Sequence, residues 1–157
     1  MARKPFAMIG RLKTVDAFRA KIDALNLDLA CDDNIQTAPT SSLAQSYQFD
    51  ELTIGNRFAI QPMEGWDGSS DGSPTDNVFR RWRNFGLSGA KLIWGGEAVA
   101  VRHTGRANPN QLVAANHTQK GIGKLREELL QAHKDVMGST DDLLIGLQLT
   151  HSGRFCK

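Results

Sequence analysis

The chain has 157 residues, the length of one ordinary domain, and carries a formal net charge of +2. Hydrophobic residues make up 40% and charged residues 23%, which is a globular composition, and the small charge argues against nucleic acid as a partner. The sequence has neither an apolar run of about 18 residues nor a secretion signal. Its two cysteines are far apart and lack metal-ligand spacing. We therefore expect a cytoplasmic protein with reduced thiols, no membrane span and no metal site.

The first 48 residues have the character of an appended segment. Apolar residues recur at three- and four-residue steps over residues 14–30, which predicts a helix with Thr14 as its N-cap. Residues 31–48 are polar and predict a linker. We therefore divide the chain into a helical extension with a linker, residues 1–48, and a second domain over residues 49–157.

The second domain shows strands and helices in alternation after a predicted β-hairpin. Short β-prone stretches flank Gly55-Asn56, a pair typical of a hairpin turn. A loop rich in turn residues then leads to Thr75, which is a suitable helix N-cap. The predicted elements are hairpin arms over residues 52–54 and 57–60, a helix after residue 75, a strand over 90–101, a helix over 121–137 and a strand over 143–149.

This alternation predicts an α/β fold with parallel strands, because a helix between two strands returns the chain to the same edge of the sheet. The predicted strands are apolar on both faces, as in a sheet covered by helices. Functional residues of such sheets gather at the carboxyl ends of the strands. A closed eight-stranded barrel takes about 250 residues. We therefore expect the N-terminal part of a (β/α)8 TIM barrel, truncated after its third strand.

Two features of the loops are ambiguous. Residues 68–72 fit the G-x-S-x-G pattern, but a nucleophilic serine requires a sharp turn from strand to helix, and Ser70 lies inside a long loop. His151 lies at a predicted strand end, where it either ties down a loop or faces a ligand. His133 lies on a predicted helix and is expected to be structural. No glycine-rich dinucleotide fingerprint follows the first strand, so a Rossmann site is not supported.

Three motifs lie at the predicted strand ends. They are NRFAIQPM over residues 56–63, the Glu97-Ala98 pair after an apolar strand, and QLTHSGR over residues 148–154. Their order and spacing, together with residues 89–93 and the Gly-Arg pair at 105–106, resemble the old yellow enzyme family over about residues 49–155. Members of this family are FMN-dependent NAD(P)H oxidoreductases that reduce activated alkenes. The resemblance implies a TIM barrel with a β-hairpin capping its base.

The resemblance also assigns expected roles to single residues. FMN would lie across the C-terminal mouth of the barrel, NAD(P)H would reduce it, and an electron-poor alkene would then accept hydride. Gln148 would hydrogen-bond the pyrimidine end of the flavin through its amide, and Ala98 would form a small wall beside the ring. The implied cofactor-binding residues are Gln61, Pro62, Met63, Glu64, Ala98 and Gln148, and the implied substrate-side residues are Trp66 and His151.

The chain departs from the family pattern at Glu64, where relatives commonly carry Thr or Cys. An ionised Glu cannot donate a hydrogen bond, so we expect Glu64 either to stay protonated through burial or to lower the flavin potential. The family's substrate-anchoring residues lie on later strands. We therefore expect the catalytic residues beyond Lys157 and this fragment alone to be inactive.

Two other interpretations remain open from the sequence. One is a non-catalytic part-barrel that needs a partner chain to complete its sheet, and a homo-oligomer is one form of such pairing. The other is a different FMN-dependent TIM-barrel enzyme, such as a dihydroorotate dehydrogenase relative. The Pro-Met turn and the Gln-x-x-His-x-Gly-Arg motif favour the old yellow enzyme interpretation over the second of these.

Overall fold

The computed structural model describes residues 8–157 of the chain. Two compact units are separated between Ile35 and Gln36. This division precedes the predicted end of the linker, because the Arg57 amide donates a 3.0 Å hydrogen bond to Leu43 O and ties part of the predicted linker to the second unit. Within the described part of the chain, no helix is long and apolar enough to cross a membrane.

The described residues of the first unit form one α-helix, α1 (Val15–Ala24). Thr14 is its N-cap, as predicted, because its side-chain oxygen accepts a 3.1 Å hydrogen bond from the Ala17 amide. The helix is shorter than the predicted span of residues 14–30. Asn26 adopts a left-handed conformation with φ of 50°, which ends the helical path of the chain.

The second unit contains a two-stranded hairpin, a three-stranded parallel sheet and two helices. In chain order these elements are β1 (Tyr47–Phe49), β2 (Leu52–Ile54), β3 (Ala59–Ile60), α2 (Asp76–Leu87), β4 (Leu92–Ala100), α3 (Gln119–Met137) and β5 (Leu144–Thr150). The sheet has the order β3-β4-β5, and both strand pairs are parallel. The predicted alternation of strand and helix is therefore confirmed for these elements, and each helix returns the chain to start the next strand.

The hairpin turns at a different place from the predicted one. β1 and β2 pair antiparallel around Asp50, which has a positive φ of 49°, whereas β3 pairs in parallel with β4. Asn56 explains the difference, because its side-chain oxygen accepts hydrogen bonds from the amides of Phe58 and Lys91 at 3.1 and 3.2 Å. Its amide also donates to Gly89 O at 2.9 Å. The chain is thus tied to the start of β4, so the predicted second hairpin arm is wrong.

The core of the second unit lies between the two helices and one face of the sheet. On α2 the buried residues Val78, Trp82 and Gly86 recur every four residues, which places them on one side of the helix. The opposite face of the sheet is more open, since Trp94 is 49% exposed and Gln148 is exposed. The buried hydrophobic cluster consists of Val78, Trp82, Ile93, Val99, Leu112, Leu125 and Leu129.

His133 is part of the contact between the two helices. Its side chain is fully buried, and Nδ1 donates a 3.0 Å hydrogen bond to Gly86 O on α2. Burial lowers the pKa of His133, so its ring stays neutral down to a lower pH than an exposed histidine would. These contacts agree with the predicted structural role. The helix α3 ends at Gly138, which has the positive φ of 81° typical of a helix terminus.

The close approach of α2 to α3 predicts opposite effects for two glycine-to-alanine changes. A Cβ at Gly86 would overlap Leu129 O and lie 3.0 Å from the Ala132 Cβ, so Gly86→Ala should lower the free energy of unfolding by about 1–3 kcal/mol. A Cβ built on Gly123 of α3 has no heavy atom of the described residues within 4 Å, so Gly123→Ala should raise the free energy of unfolding by about 1 kcal/mol. Urea denaturation of both variants checks the prediction, and changes of the same sign would contradict it.

Candidate functional site

The carboxyl ends of the three parallel strands lie at one edge of the sheet. The segments that follow them are residues 61–75 after β3, residues 101–118 after β4 and residues 151–157 after β5. Parallel strands point the same way, so these segments are neighbours although they are far apart in sequence. Every residue predicted to bind cofactor or substrate lies at this edge.

The turn after β3 is hydrogen-bonded to β4. The Ala98 amide donates to Met63 O at 3.2 Å, which holds the turn of residues 61–64 beside the end of β4. The Met63 side chain is 73% exposed and that of Gln61 is also exposed. The backbone of this turn is thus fixed by the protein, while its side chains remain free to meet a ligand.

A bulge in β4 brings the first and third strand ends together. Trp94 is opposite Gly146 and Ala98 is opposite Gln148, so three residues of β4 face the single residue between Gly146 and Gln148. Gly95 lies in this bulge with φ of 60°. A Cβ on Gly95 would lie 2.7 Å from the backbone nitrogen of Gln148 and 3.0 Å from the Cβ of a proline in the turn. Glycine is therefore required both by the backbone conformation and by this close contact.

The proline in that contact is Pro62, so Pro62, Gly95 and Gln148 meet at one point of the site. Ala98 and Gln148 are register partners across β4 and β5. Ala98 is only 3% exposed, so its small side chain can pack beside a ligand but cannot hydrogen-bond to it. The Gln148 side-chain amide is exposed and makes no hydrogen bond with any other described residue. It can therefore donate one bond and accept another from a flat polar ligand.

Glu64 and Trp66 form a pair at the rim of the site. The indole Nε1 of Trp66 donates a 2.8 Å hydrogen bond to Glu64 Oε2. Trp66 has a positive φ of 53°, which is costly for a residue with a large side chain, and it is 52% exposed. Glu64 is half-buried, and its carboxylate is already engaged by a donor from the protein. Whether Glu64 affects a bound flavin stays a prediction.

A buried charged network lies beneath this pair. Glu97 on β4 is 1% exposed; its Oε1 accepts a 2.7 Å hydrogen bond from the Gly65 amide, and its Oε2 pairs with Arg81 on α2. Arg81 also donates to Asp67 Oδ2 at 2.5 Å. We call Asp67, Arg81 and Glu97 the Arg81 network. Burial raises the pKa of Glu97, even though the Gly65 amide and Arg81 act in the opposite direction.

No sequence pattern predicts a role for Arg81, and none predicts the buried contact partners of Glu97. Glu97 entered only as part of a motif, although a glutamate inside a long apolar strand is itself a signal of a buried polar contact. Gln111 was missed completely. It is fully buried, and its Nε2 donates to Ala98 O at 2.9 Å and to Thr150 Oγ1 at 3.1 Å, so it joins the ends of β4 and β5. A glutamine in a polar loop carries no sequence pattern that predicts this.

His151 ties two of the segments at the site together. Its Nδ1 accepts a 3.0 Å hydrogen bond from the Gly153 amide, and its ring packs on Gly105, where a Cβ would lie 2.6 Å from the ring carbon Cδ2. The Ser152 amide also donates to Gly105 O at 2.9 Å. These contacts are those of a histidine that ties down a loop, one of the two alternatives from the sequence. A substrate-facing role for His151 stays a prediction.

The loop after β3 is stabilised by its own polar side chains. The Asp71 carboxylate accepts hydrogen bonds from the Ser69 hydroxyl at 2.5 Å and from the Ser73 amide at 3.0 Å. These donors lower the pKa of Asp71 to about 2. Ser70, the serine of the G-x-S-x-G pattern, has no hydrogen bond from its hydroxyl to a histidine among the described residues. This part of the loop therefore shows no paired nucleophile and base.

Solved structures of old yellow enzymes share this arrangement of strands and helices. The old yellow enzyme homologue of Zymomonas mobilis matches at 26% identity and a TM-score of 0.54, over 72% of this chain and 29% of that chain. The old yellow enzyme of a Pichia species matches at 16% identity and a TM-score of 0.60, over 76% and 29%. The enzyme of Trypanosoma cruzi matches at 22% identity and a TM-score of 0.55, over 73% and 28%.

The resemblance to the old yellow enzyme family that the three motifs predict is confirmed by these structures. The α/β fold of the chain matches part of the barrel of those enzymes, and the chain spans only 28–29% of their own lengths. No protein-family model and no curated protein sequence matches the chain. The structures establish the fold, whereas the roles of the individual site residues and the truncation of the barrel stay predictions.

Proposed function

We propose that the chain forms the flavin-binding side of an FMN-dependent NAD(P)H oxidoreductase that reduces electron-poor alkenes. The observation that carries this proposal is the convergence of Pro62 in the turn after β3, Gly95 in the β4 bulge and Gln148 on β5. Together with Ala98, they form a surface of small and planar groups with one free amide. Such a surface suits one edge of a flat heterocycle that carries both hydrogen-bond donors and acceptors.

The residues present fit an isoalloxazine ring by their chemistry. The Gln148 amide is free to donate to a carbonyl oxygen and to accept from a ring N–H. Met63 O is already used by the Ala98 amide, so the turn is rigid before any ligand arrives. When bound, FMN would supply the hydride transfer, and the chain's own residues would orient it and bias its electron density. A donor at Gln148 would favour the electron-rich reduced ring.

We assign the remaining predicted roles on the same basis. Gln61, Pro62, Met63 and Glu64 would border the ring, while Trp66 and His151 would lie on the side where substrate enters. NAD(P)H would act as the reductant. The partner would be a small electron-poor alkene in the cytoplasm, and a homo-oligomer is one form in which the sheet edges could be covered. No contact among the described residues favours the part-barrel or the dihydroorotate dehydrogenase interpretation.

Titration of FMN with the 157-residue chain tests this proposal. Gln148→Leu should weaken FMN binding by about tenfold, because losing hydrogen bonds to a bound polar group costs about 1–3 kcal/mol and each 1.4 kcal/mol is a factor of about ten. Quenching of flavin fluorescence gives the dissociation constants. The matched control is Gln131→Leu, which changes an exposed glutamine on α3 and should leave the affinity unchanged. Equal affinities for wild type and Gln148→Leu, or no saturable binding by the wild type, would contradict the proposal.

A further inference from the structure

We propose that Glu97 and Arg81 are positioning residues that set the orientation of Trp66 and Glu64 at the site. The inference rests on the proposed function, because it concerns the segment that would border flavin and substrate. Neither residue reaches the site itself, since Glu97 is buried and Arg81 lies on α2. Both act through the backbone of the segment between Glu64 and Asp67.

Gly65 attaches the first end of this segment to the Arg81 network. Its amide donates to Glu97 Oε1 at 2.7 Å, so the backbone between Glu64 and Trp66 is fixed from inside the protein. A Cβ on Gly65 would overlap the guanidinium group of Arg81. That guanidinium cannot move aside freely, because two carboxylates hold it. The backbone at Gly65 therefore packs directly on the Arg81 network.

Asp67 attaches the other end of the segment to the same network. Arg81 also donates to Asp67, so one guanidinium joins the residue after Trp66 to the strand that carries Glu97. Trp66 lies between these two attachment points with φ of 53°. A large residue keeps such a conformation only where its surroundings enforce it. The Arg81 network supplies that restraint, and the indole of Trp66 is thereby placed to donate to Glu64.

The bulge in β4 links the Arg81 network to the rest of the site. The bulge in β4 contains Gly95 and Glu97 and ends at Ala98, which pairs with Gln148. The same irregularity therefore turns the Glu97 carboxylate towards α2 and leaves Ala98 in register at the site. The position of the aromatic rim and the position of the flavin edge are set by one piece of strand. Substrate selection by Trp66 would then depend on a charge pair that touches neither substrate nor flavin.

Backbone amide exchange in the flavin-free 157-residue chain tests the inference. In Arg81→Gln, the Gly65 amide should exchange about tenfold faster or more than in wild type held in urea at the same free energy of unfolding, while the Ala98 and Leu129 amides should differ by less than about twofold. The matched control is Arg83→Gln on the same helix, whose 3.7 Å pair with Glu128 is exposed, and it should change none of the three. If Arg81 only stabilised the fold as a whole, the three amides would exchange alike in variant and wild type at equal stability. An unchanged Gly65 rate, or a uniform increase, would overturn the inference.

A conservative variant keeps the test decisive if Arg81→Gln does not fold. Arg81→Lys keeps the positive charge but cannot span both carboxylates, so the selective increase at Gly65 is expected again. FMN titration is the second measurement, and Arg81→Lys should weaken binding by about fivefold whereas Arg83→Lys should not. Faster Gly65 exchange with unchanged FMN affinity would overturn the positioning role. Failure of the wild type to bind FMN would instead overturn the proposed function. The amide-exchange rates are measured without flavin, so they would still decide whether Arg81 holds the backbone at Gly65.

Discussion

Trp82→Ala is expected to lower the free energy of unfolding of the chain by about 3–5 kcal/mol, the usual cost of truncating a large buried aromatic residue. Trp82 is 2% exposed and lies in the hydrophobic cluster between α2, α3 and β4. Its ring is also within 3.4 Å of the position that a Cβ would take on Gly96 in the β4 bulge. The cavity would therefore weaken both helix packing and the strand that forms the site. Urea denaturation followed by circular dichroism measures the change.

Trp82→Phe separates the effect of losing ring volume from the effect of losing the indole N–H group. The indole Nε1 of Trp82 is buried and has no hydrogen-bond partner among the described residues. Replacement by Phe removes this unpaired donor and keeps most of the ring, so the loss should stay below about 1.5 kcal/mol. If Trp82→Phe were as damaging as Trp82→Ala, the indole nitrogen would have a partner that the structure does not show, and the interpretation would be wrong.

Arg81→Met is expected to cost about 3–5 kcal/mol of folding stability at neutral pH, because removal of one member of a buried ion pair leaves charge without compensation. Glu97 is almost fully buried, and Asp67 has a buried oxygen, Oδ1, that has no hydrogen-bond partner among the described residues. Chemical denaturation at pH 7 measures the loss. Arg83→Met is the control, because the exposed Arg83 pair with Glu128 is worth about 0–1 kcal/mol at most.

The loss in Arg81→Met should depend on pH with a definite sign. Burial already raises the pKa of Glu97 above its ordinary 4.5, so its contribution to stability is full below pH 4.5 and is lost as pH rises through the folded value. Arg81 opposes this rise, and its removal should raise the pKa of Glu97 further. The deficit of Arg81→Met relative to wild type should therefore shrink between pH 7 and pH 4. A deficit that is equal at both pH values would contradict this role for Glu97.

The sequence determined the order and type of the main elements. Apolar runs around Ile93 and Ile145 predicted strands, and four-residue spacing at Val78 and Trp82 predicted a helix; all of these are found in the structure. Such periodicities report which faces of an element avoid water, and burial alone decides that. The same reasoning predicted that the strand ends share one edge, because parallel strands end together, and the family resemblance then assigned Gln61 to Glu64, Ala98 and Gln148 to that edge.

The second arm of the predicted hairpin is the element that local sequence pattern predicted wrongly. Gly55-Asn56 has the composition of a tight turn, yet Asn56 bonds the backbone at Gly89 and Lys91, which are distant in sequence. A side chain with one donor and one acceptor group is used equally well by a local turn or by a distant strand. Local sequence therefore could not distinguish the two uses, and the tertiary contact selected the second.

The sequence by itself thus determined a parallel α/β arrangement, a set of strand ends and a family resemblance that rests on three motifs. Only the tertiary structure decided that Gly95 joins Pro62 to Gln148, that Gln111 joins two strand ends, and that Glu97 holds the backbone beneath Trp66. The physical reason is that burial patterns repeat along the chain and are visible in it, whereas a hydrogen bond between two polar groups depends on where the packed elements bring them.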